Sequence, residues 1–189
     1  MKIEDNFLKQ EEFDKIRNIM THGNFPWFFR DRYYEKIGQP LSTMEPPKPE
    51  LDKFQFVHAF YDVNVPVSSY MEHLDCILQL IQPMSIIKIR ANLLTRLPSI
   101  VENPLHTDLT DWPEEKIKQW TTSIFYVNTN NGYTKFEDGT KVESVANRMV
   151  TFQTNMKHTG TSCTDEKIRV VINFNYFSKG ESVDDNSRN

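Results

Sequence analysis

Residues 103–109 read Asn-Pro-Leu-His-Thr-Asp-Leu, and the rest of the chain is organised around this stretch. If the segment is extended, alternate side chains share a face, so the imidazole of His106 and the carboxylate of Asp108 point the same way. Two such ligands hold a first-row metal ion incompletely. A second imidazole from a neighbouring strand would complete the two-histidine, one-carboxylate face that binds iron(II) and leaves positions open for substrates. The sequence predicts His158 as this third ligand.

The His-x-Asp motif occurs a second time, at His73 and Asp75, and its surroundings differ. Apolar residues recur at helical spacing over residues 70–81, behind a capping-box pattern formed by Ser69 and Glu72. Residues two apart on a helix point to nearly opposite sides. His73 and Asp75 are therefore predicted to be surface residues on a helix and not metal ligands.

The N-terminal third of the chain combines one helix with aromatic segments. Residues 11–20 place apolar side chains on one side among charges, which predicts a short amphipathic helix lying against a sheet. Residues 25–34 interleave arginine with aromatic residues, a pattern that suits stacking on nucleobases but more often belongs to an edge strand over a core. Residues 54–61 predict a strand, and His58 within it is predicted to be a satisfied core or edge residue.

Short strands dominate the chain after residue 84. Asn131-Gly132 and Asp138-Gly139 fall between strand-like runs, and both dipeptides favour the type I′ turns of hairpins. Many short strands behind an N-terminal helical layer predict a mainly β protein, either a β-sandwich or a jelly roll. The predicted strands span residues 85–94, 121–127, 133–137, 141–145, 148–153 and 167–177.

Length and charge limit the classes of protein that fit. The 189 residues predict one domain over residues 1–178, followed by a disordered polar tail over residues 179–189. A formal net charge of −4 with scattered basic residues argues against nucleic acid as the partner. The start of the chain lacks the apolar segment of a signal peptide and no apolar run could span a bilayer, so the sequence predicts a cytoplasmic protein. The loop over residues 38–49 is a candidate lid, and the sequence leaves the oligomeric state open.

Arg169 lies on the last predicted strand, on the face that it shares with Val171 and Asn173. A guanidinium directed into an apolar barrel is costly unless it meets an anion, because it cannot lose its charge. A salt bridge to an acidic side chain would satisfy it, and so would the carboxylate of a cosubstrate. The order His106, Asp108, His158, Arg169 along the chain favours the cosubstrate.

With these residues in place, the sequence resembles the iron(II)- and 2-oxoglutarate-dependent dioxygenases, in particular the prolyl-4-hydroxylase-like branch. The resemblance covers about residues 86–177, and residues 5–8 (DNFL) also look like the start of that branch. It is carried by residues 104–108 (PLHTD), 125–128 (FYVN), 132–136 (GYTKF), 158–160 (HTG) and Arg169.

The resemblance implies a double-stranded β-helix, a cupin-like jelly roll with N-terminal helices packed on one sheet. It also implies that Fe(II) is bound by the three predicted ligands and that Arg169 binds the 5-carboxylate of 2-oxoglutarate. Oxidative decarboxylation of 2-oxoglutarate to succinate and CO2, with O2 as the oxidant, would be coupled to hydroxylation of a substrate. Tyr126, Asn173 and Asn92 are further candidates for contact with the cosubstrate, and each has a plain structural alternative.

Departures from the family pattern bear on the substrate. Asn147 stands in a turn where many relatives have glycine, and asparagine also tolerates positive φ. The second arginine of the nucleic-acid demethylases is absent, with Asn173 and Asn175 in its place. A small-molecule or peptidyl substrate fits better than a nucleobase, and a prolyl substrate does not follow from the metal site.

Two other functions use the same ligands. A non-catalytic, metal-binding jelly-roll module would hold a structural ion and would not respond to 2-oxoglutarate. A zinc hydrolase would also accept two histidines and an aspartate. Arg169 argues against the hydrolase, since that reaction has no evident need for a second carboxylate anchor.

Overall fold

The computed structural model describes residues 1–30, 54–62, 64–109 and 113–178. Within these ranges a short helix and then a pair of helical segments precede most of the strands. In chain order the elements are β1 (Lys2–Glu4), α1 (Gln10–Thr21), β2 (Phe28–Arg30), β3 (Gln55–Asp62), β4 (Val65–Pro66), a 3-10 helix (Ser69–Leu74), α2 (Asp75–Ile81), β5 (Pro83–Thr95), α3 (Glu114–Ile117), β6 (Thr121–Tyr126), β7 (Tyr133–Phe136), β8 (Lys141–Glu143), β9 (Arg148–Gln153), β10 (His158–Gly160) and β11 (Ile168–Ser178).

The described strands form two antiparallel sheets. The larger sheet has the order β1-β9-β6-β11-β5-β3-β2, with β4 paired to β3, and the smaller has the order β10-β7-β8. Strands that are far apart in sequence lie side by side in the larger sheet, as β11 lies between β5 and β6. This is the jelly roll that the strand pattern and the resemblance predicted.

The outer face of the larger sheet is covered by the helices. Phe13, Ile16 and Met20 of α1 are buried there, and each contributes about 1.5 to 3 kcal/mol by leaving water. They share one cluster with alternate residues of β11, including Ile172 and Phe174. The prediction of N-terminal helices packed on one sheet is therefore confirmed.

The inner face of the larger sheet packs against the smaller sheet. A second cluster of buried residues fills this space, and Val171 belongs to it although its neighbours in sequence face the helices. Its other members are Ile124, Tyr126, Phe136, Val142, Val150 and Phe152. The interior between the sheets is the space in which a site can form.

The N-terminal segment is fastened to the barrel at one turn. Asn147 has φ of 62°, and its side chain accepts from the backbone N–H of Leu8 at 2.9 Å and donates to the carbonyl of Leu8 at 2.8 Å. Arg148 makes two hydrogen bonds to the carboxylate of Asp5. Asparagine thus meets both demands of this position, the positive φ and the bridge to the chain start.

Two local predictions from the sequence are wrong. Asp138-Gly139 does close the β7–β8 hairpin, with φ of +88° at Gly139, but Asn131-Gly132 joins β6 of the larger sheet to β7 of the smaller one. The predicted capping box is also misplaced, since Ser68 and not Ser69 accepts the backbone N–H of Tyr70.

His58 and His73, which the sequence excluded as metal ligands, behave as expected. His58 is 3% exposed, and its ring nitrogens bond the Pro26 carbonyl and the Ser68 hydroxyl, each at 2.8 Å. His73 and Asp75 are both exposed at the junction of the 3-10 helix and α2. The edge strand predicted within residues 25–34 is present as β2, whose last residue is Arg30.

Some sequence predictions lie outside the described residues. These are the candidate lid over residues 38–49 and the tail over residues 179–189. None of the described helices has both the length and the apolar character needed to cross a membrane.

Candidate metal centre

His106 and His158 face each other across an antiparallel bridge at the edge of the smaller sheet. Each backbone N–H donates to the other residue's carbonyl, at 3.0 and 2.9 Å. Residues paired in this way project their side chains to the same side, and the two ring centroids are 4.9 Å apart. Within residues 105–109, which were predicted to be extended, only His106 forms a bridge. A single pair of backbone hydrogen bonds therefore brings the imidazoles of His106 and His158 together.

Asp108 offers a third possible ligand atom. Its Oδ1 lies 3.7 Å from Nε2 of His106 and 3.8 Å from Nε2 of His158. These distances are too long for hydrogen bonds, but two ligands of one ion with bonds of about 2.0 to 2.2 Å can lie up to about 4.4 Å apart. All three ligand atoms lie within 4.8 Å of one another.

The tautomers of the imidazoles also suit a metal ion. Nδ1 of His158 lies 3.1 Å from the Met156 carbonyl, and Nδ1 of His106 lies 3.2 Å from the Pro104 carbonyl. A ring nitrogen that donates to a carbonyl carries the proton. The lone pair of the other nitrogen, Nε2, is then available to bind a metal ion. Nε2 of His158 is buried and has no hydrogen-bond partner among the described residues. A metal ion would satisfy this orphaned atom.

The electrostatics favour the protonation states that bind a metal. Burial works against the ionised form of Asp108, but the two imidazoles and a hydrogen bond from Asn175 outweigh it and lower the pKa of the carboxyl. Burial lowers the pKa of His106, against the attraction of the Asp108 carboxylate. An ionised aspartate and a neutral imidazole are the forms in which these side chains are ligands.

Asn175 positions the carboxylate and was not predicted as a site residue. Its Nδ2 donates to Oδ2 of Asp108 at 2.8 Å and to the Thr122 hydroxyl at 3.0 Å, and the residue is 1% exposed. Oδ1 of Asp108 is thereby directed to the imidazoles. The sequence could have indicated this role. Asn175 lies an even number of residues after Arg169 on β11, so both side chains must point into the same interior.

Arg169 is 2% exposed and reaches into the barrel interior, as predicted. Its Nε donates to the Ser144 hydroxyl at 2.8 Å, and Nη2 lies 3.4 Å from the Thr134 hydroxyl. The same Thr134 oxygen accepts from the hydroxyl of Tyr126 at 2.7 Å. Since Thr134 pairs with Gly160, two residues beyond His158, this polar group and the triad border the same small sheet.

Tyr126 is fully buried beside the guanidinium. The carbon Cζ of Arg169 lies 5.8 Å from the centre of the Tyr126 ring, which is the geometry of a cation–π contact. Burial raises the pKa of Tyr126, so the phenol keeps its proton and acts as a donor. The structure therefore brings Tyr126 and Arg169 together, and Thr134 and Ser144 complete a group that the sequence did not single out.

Two glycines make room for Arg169. A Cβ on Gly132 would lie 2.7 Å from Cδ of Arg169 and 2.8 Å from the Ser162 carbonyl oxygen, closer than real Cβ contacts come. A Cβ on Gly160 would lie 3.3 Å from Nη1 of the same arginine. Position 132 therefore requires glycine because Arg169 approaches its backbone closely, whatever type of turn the Asn-Gly dipeptide forms.

Asn173 and Asn92 lie on the inner face, but no hydrogen bond joins either of them to Arg169. Asn173 pairs across the sheet with Arg90, and its buried Oδ1 lacks a partner in the described part of the chain. Asn92 pairs with Val171 and is half-buried. Asn173 lies between Arg169 and Asn175 on β11. Asn92 lies on the neighbouring strand β5, opposite Val171, and so also lies between these two positions along the sheet.

Comparison with known proteins adds a fold likeness at low sequence identity. No family model matches the sequence, and no curated protein matches it. A prolyl hydroxylase from Trichoplax adhaerens, solved with a hypoxia inducible factor peptide, is similar with a TM-score of 0.61 and 12% identity over 94% of this chain and 83% of that one.

Two other solved structures are similar over most of their length. A 2OG-Fe(II) oxygenase family protein from Burkholderia pseudomallei has a TM-score of 0.58 and 8% identity, covering 92% of this chain and 82% of that one. SnoN, an alpha ketoglutarate dependent epimerase from nogalamycin biosynthesis, has a TM-score of 0.58 and 12% identity, covering 93% and 76%. The chain therefore has the fold of prolyl hydroxylases and other 2OG-Fe(II) oxygenases, and its barrel carries a His-Asp-His group able to hold a metal ion.

Proposed function

We propose that this protein is an Fe(II)- and 2-oxoglutarate-dependent oxygenase that hydroxylates an organic substrate. The observation that carries the proposal is the convergence, in one barrel, of three metal-ligand side chains and a deeply buried arginine. Fe(II), 2-oxoglutarate and O2 together supply the oxidising chemistry, in which 2-oxoglutarate is converted to succinate and CO2. The similar structures support the choice of this chemistry for a barrel of this kind.

His106, Asp108 and His158 would hold the iron. Three ligands on one side of an ion leave its other positions open for the cosubstrate and for O2. Asn175 fixes the carboxylate, and the two backbone carbonyls fix the imidazole tautomers. The residues of the chain therefore present the ligand atoms in a fixed arrangement before the metal binds.

Arg169 would bind the 5-carboxylate of 2-oxoglutarate. Its guanidinium remains charged at any relevant pH and can form charge-assisted hydrogen bonds with a carboxylate. The Thr134 oxygen already accepts hydrogen bonds from Tyr126 and Arg169, so its own hydroxyl hydrogen is a further donor for the same carboxylate. We include Tyr126, Asn173 and Asn92 in the cosubstrate pocket on the basis of their positions beside or near this group.

Hydroxylation is the outcome that we propose among those that this fold supports. SnoN, one of the similar structures, is an epimerase, so the fold does not fix the reaction. Assays should therefore identify the modified substrate as well as the cosubstrate. The buried apolar wall around the triad, with Phe136 and Phe152 against His158, would keep water from the reacting atoms.

The test is formation of succinate from 2-oxoglutarate by the purified protein. We expect turnover that requires both Fe(II) and O2, and we expect His158→Ala to abolish metal binding. His73→Ala is the matched control, because it removes the exposed histidine of the second His-x-Asp motif and should change neither property. Arg169→Gln should weaken 2-oxoglutarate binding by about 10- to 100-fold, the value of one or two charge-assisted hydrogen bonds.

The competing outcomes are distinct. A protein that binds metal but never decarboxylates 2-oxoglutarate, and whose melting temperature is unchanged by 2-oxoglutarate, would be a binding module. Retained metal affinity in His158→Ala would refute the assigned triad. An unchanged affinity for 2-oxoglutarate in folded Arg169→Gln would refute the assigned anchor.

A further inference from the structure

The inner face of β5 carries two cations that the metal and the cosubstrate do not use. Lys88 and Arg90 alternate with Ile89 and Ala91, which are buried against the helical side. In the sheet, Lys88 pairs with Asn175, whose amide holds the metal-ligand carboxylate, and Arg90 pairs with Asn173. Side chains directly opposite on antiparallel strands start about 5 Å apart. Both cations therefore project into the interior beside the metal centre.

These cations are partly withdrawn from water, and within the described part of the chain no residue pairs with them. Both are half-buried, and neither forms a hydrogen bond or an ion pair with any residue of the described ranges. Burial lowers the pKa of Lys88, and repulsion by Arg90 lowers it further. Burial likewise lowers the pKa of Arg90, followed by repulsion from Arg30. Holding such charges together is costly unless an anion joins them.

The nearby carboxylates do not balance the charge once the centre is loaded. Asp62 and Asp108 attract Lys88 and Arg90. In the loaded centre, however, the charge of the Asp108 carboxylate would be neutralised by Fe(II). One negative charge of 2-oxoglutarate would be neutralised by the same ion and the other by Arg169. Among the described residues, the three cations Lys88, Arg90 and Arg30 then face Asp62 alone, and this excess of positive charge would attract a negatively charged substrate.

A cavity of about 550 Å³ lies against Arg90. Its wall combines the cations Arg90 and Arg30 and the carboxylate of Asp62 with apolar side chains, among them Phe28 and Val57. This volume is in the range of small-molecule sites, and its mixture of apolar walls with a few charged groups is typical of them. The cavity is therefore suited to a compact organic molecule with one charged end.

We propose that the substrate is a small organic anion whose carboxylate or phosphate is bound by Arg90 and Lys88, with its apolar part in the cavity beside Phe28 and Val57. The proposal rests on the proposed function and adds the chemical class of its substrate. Arg90 would give the fixed geometry of a guanidinium, and Lys88 a point charge nearer to the metal ligand Asp108.

The test measures binding of three probes of similar shape to protein loaded with Mn(II) and 2-oxoglutarate. The probes are benzoate, phenyl phosphate and neutral benzamide, and paramagnetic broadening of their proton NMR signals by Mn(II) reports binding close to the metal. Protein loaded with Zn(II) gives the diamagnetic reference. We expect at least one anion to bind at least tenfold more tightly than benzamide, and the preferred anion separates a carboxylate from a phosphate site.

Variants assign the binding to the cations. Arg90→Gln and Lys88→Gln should each weaken binding of the preferred anion by about tenfold or more. Arg17→Gln, on an exposed face of α1, is the matched control and should leave it unchanged. Affinities for Mn(II) and 2-oxoglutarate are measured in every variant.

Several outcomes would overturn the proposal. They are equal binding of benzamide and the anions, no binding of any probe, undiminished anion binding in both variants, or a loss in Arg90→Gln that falls on 2-oxoglutarate instead of the probe. A wild-type protein that binds neither Mn(II) nor 2-oxoglutarate would refute the proposed function itself. The two failures are therefore distinguishable.

Discussion

Replacing Asn175 by alanine should weaken the proposed metal site without changing any of its proposed ligands. The change removes the 2.8 Å hydrogen bond to Oδ2 of Asp108 and a 3.0 Å bond to Thr122. A hydrogen bond to a charged group is worth about 1.5 to 3 kcal/mol, and residues that orient metal ligands typically contribute 10- to 100-fold in affinity. Since the metal-free protein also loses these bonds, we expect a rise of about tenfold to hundredfold in Kd for Mn(II).

The assay is calorimetric titration of Mn(II) into wild-type protein, Asn175→Ala and Asn173→Ala. Asn173 is the neighbour on the same face of β11 and makes no hydrogen bond to Asp108, so it controls for removing an inward-facing amide. Circular dichroism melting of the metal-free proteins would show that each variant is folded. The melting temperature of Asn175→Ala should fall, because the carboxylate is left buried with one donor fewer.

A Kd for Mn(II) within about twofold of wild type in folded Asn175→Ala would refute this reasoning. It would mean that the backbone and the imidazoles alone set the position of the carboxylate. A similar loss in Asn173→Ala would also count against it, since the effect would then belong to the polarity of the interior and not to the bond with Asp108.

Three further predictions test the supporting structure. Gly132→Ala should lower the unfolding free energy by about 1 to 3 kcal/mol and should weaken 2-oxoglutarate binding, because the added Cβ displaces Arg169. Gly23→Ala is the control, since Gly23 has open space around it, and it should change neither quantity. Calorimetry measures both quantities. His58 has a pKa lowered by burial, so its contribution to stability is present above pH about 6.5 and is lost as the pH falls toward the folded pKa; His58→Gln should flatten the decline in urea-measured stability between pH 7 and 5. Asn147→Ala should cost about 2 to 4 kcal/mol in the same assay, from two hydrogen bonds and a positive φ, and Asn147→Gly should recover about 1 kcal/mol of it.

The spacing of apolar and polar residues along the sequence was enough to predict those elements that face a single core. The helical spacing of Phe13, Ile16 and Met20 predicted α1, and its residues are buried as expected. The alternation along β11 predicted that Arg169 points inward with Val171. In each case the period of the backbone decides which side chains share a face, so no distant contact is needed.

Predictions failed where a residue served a distant contact. The Asn131-Gly132 dipeptide has the composition of a hairpin turn, but its glycine admits the side chain of Arg169 between two sheets. The alternation over residues 105–109 did bring His106 and Asp108 together as expected, but it gave no sign that His106 alone would be bridged, to His158. Turn chemistry and alternation describe a segment by itself and carry no information about which strand lies beside it.

The sequence by itself determined which side chains are available: two histidines and an aspartate for a metal, an arginine of the right parity, and an asparagine that tolerates positive φ. Only the tertiary structure decided that they converge, because β11 pairs with β5 and β6 and the smaller sheet brings His158 to His106. The same pairing turned Lys88 and Arg90 inward. A strand has two faces that its sequence defines equally well, and which of them becomes the interior depends on the sheet that packs against it.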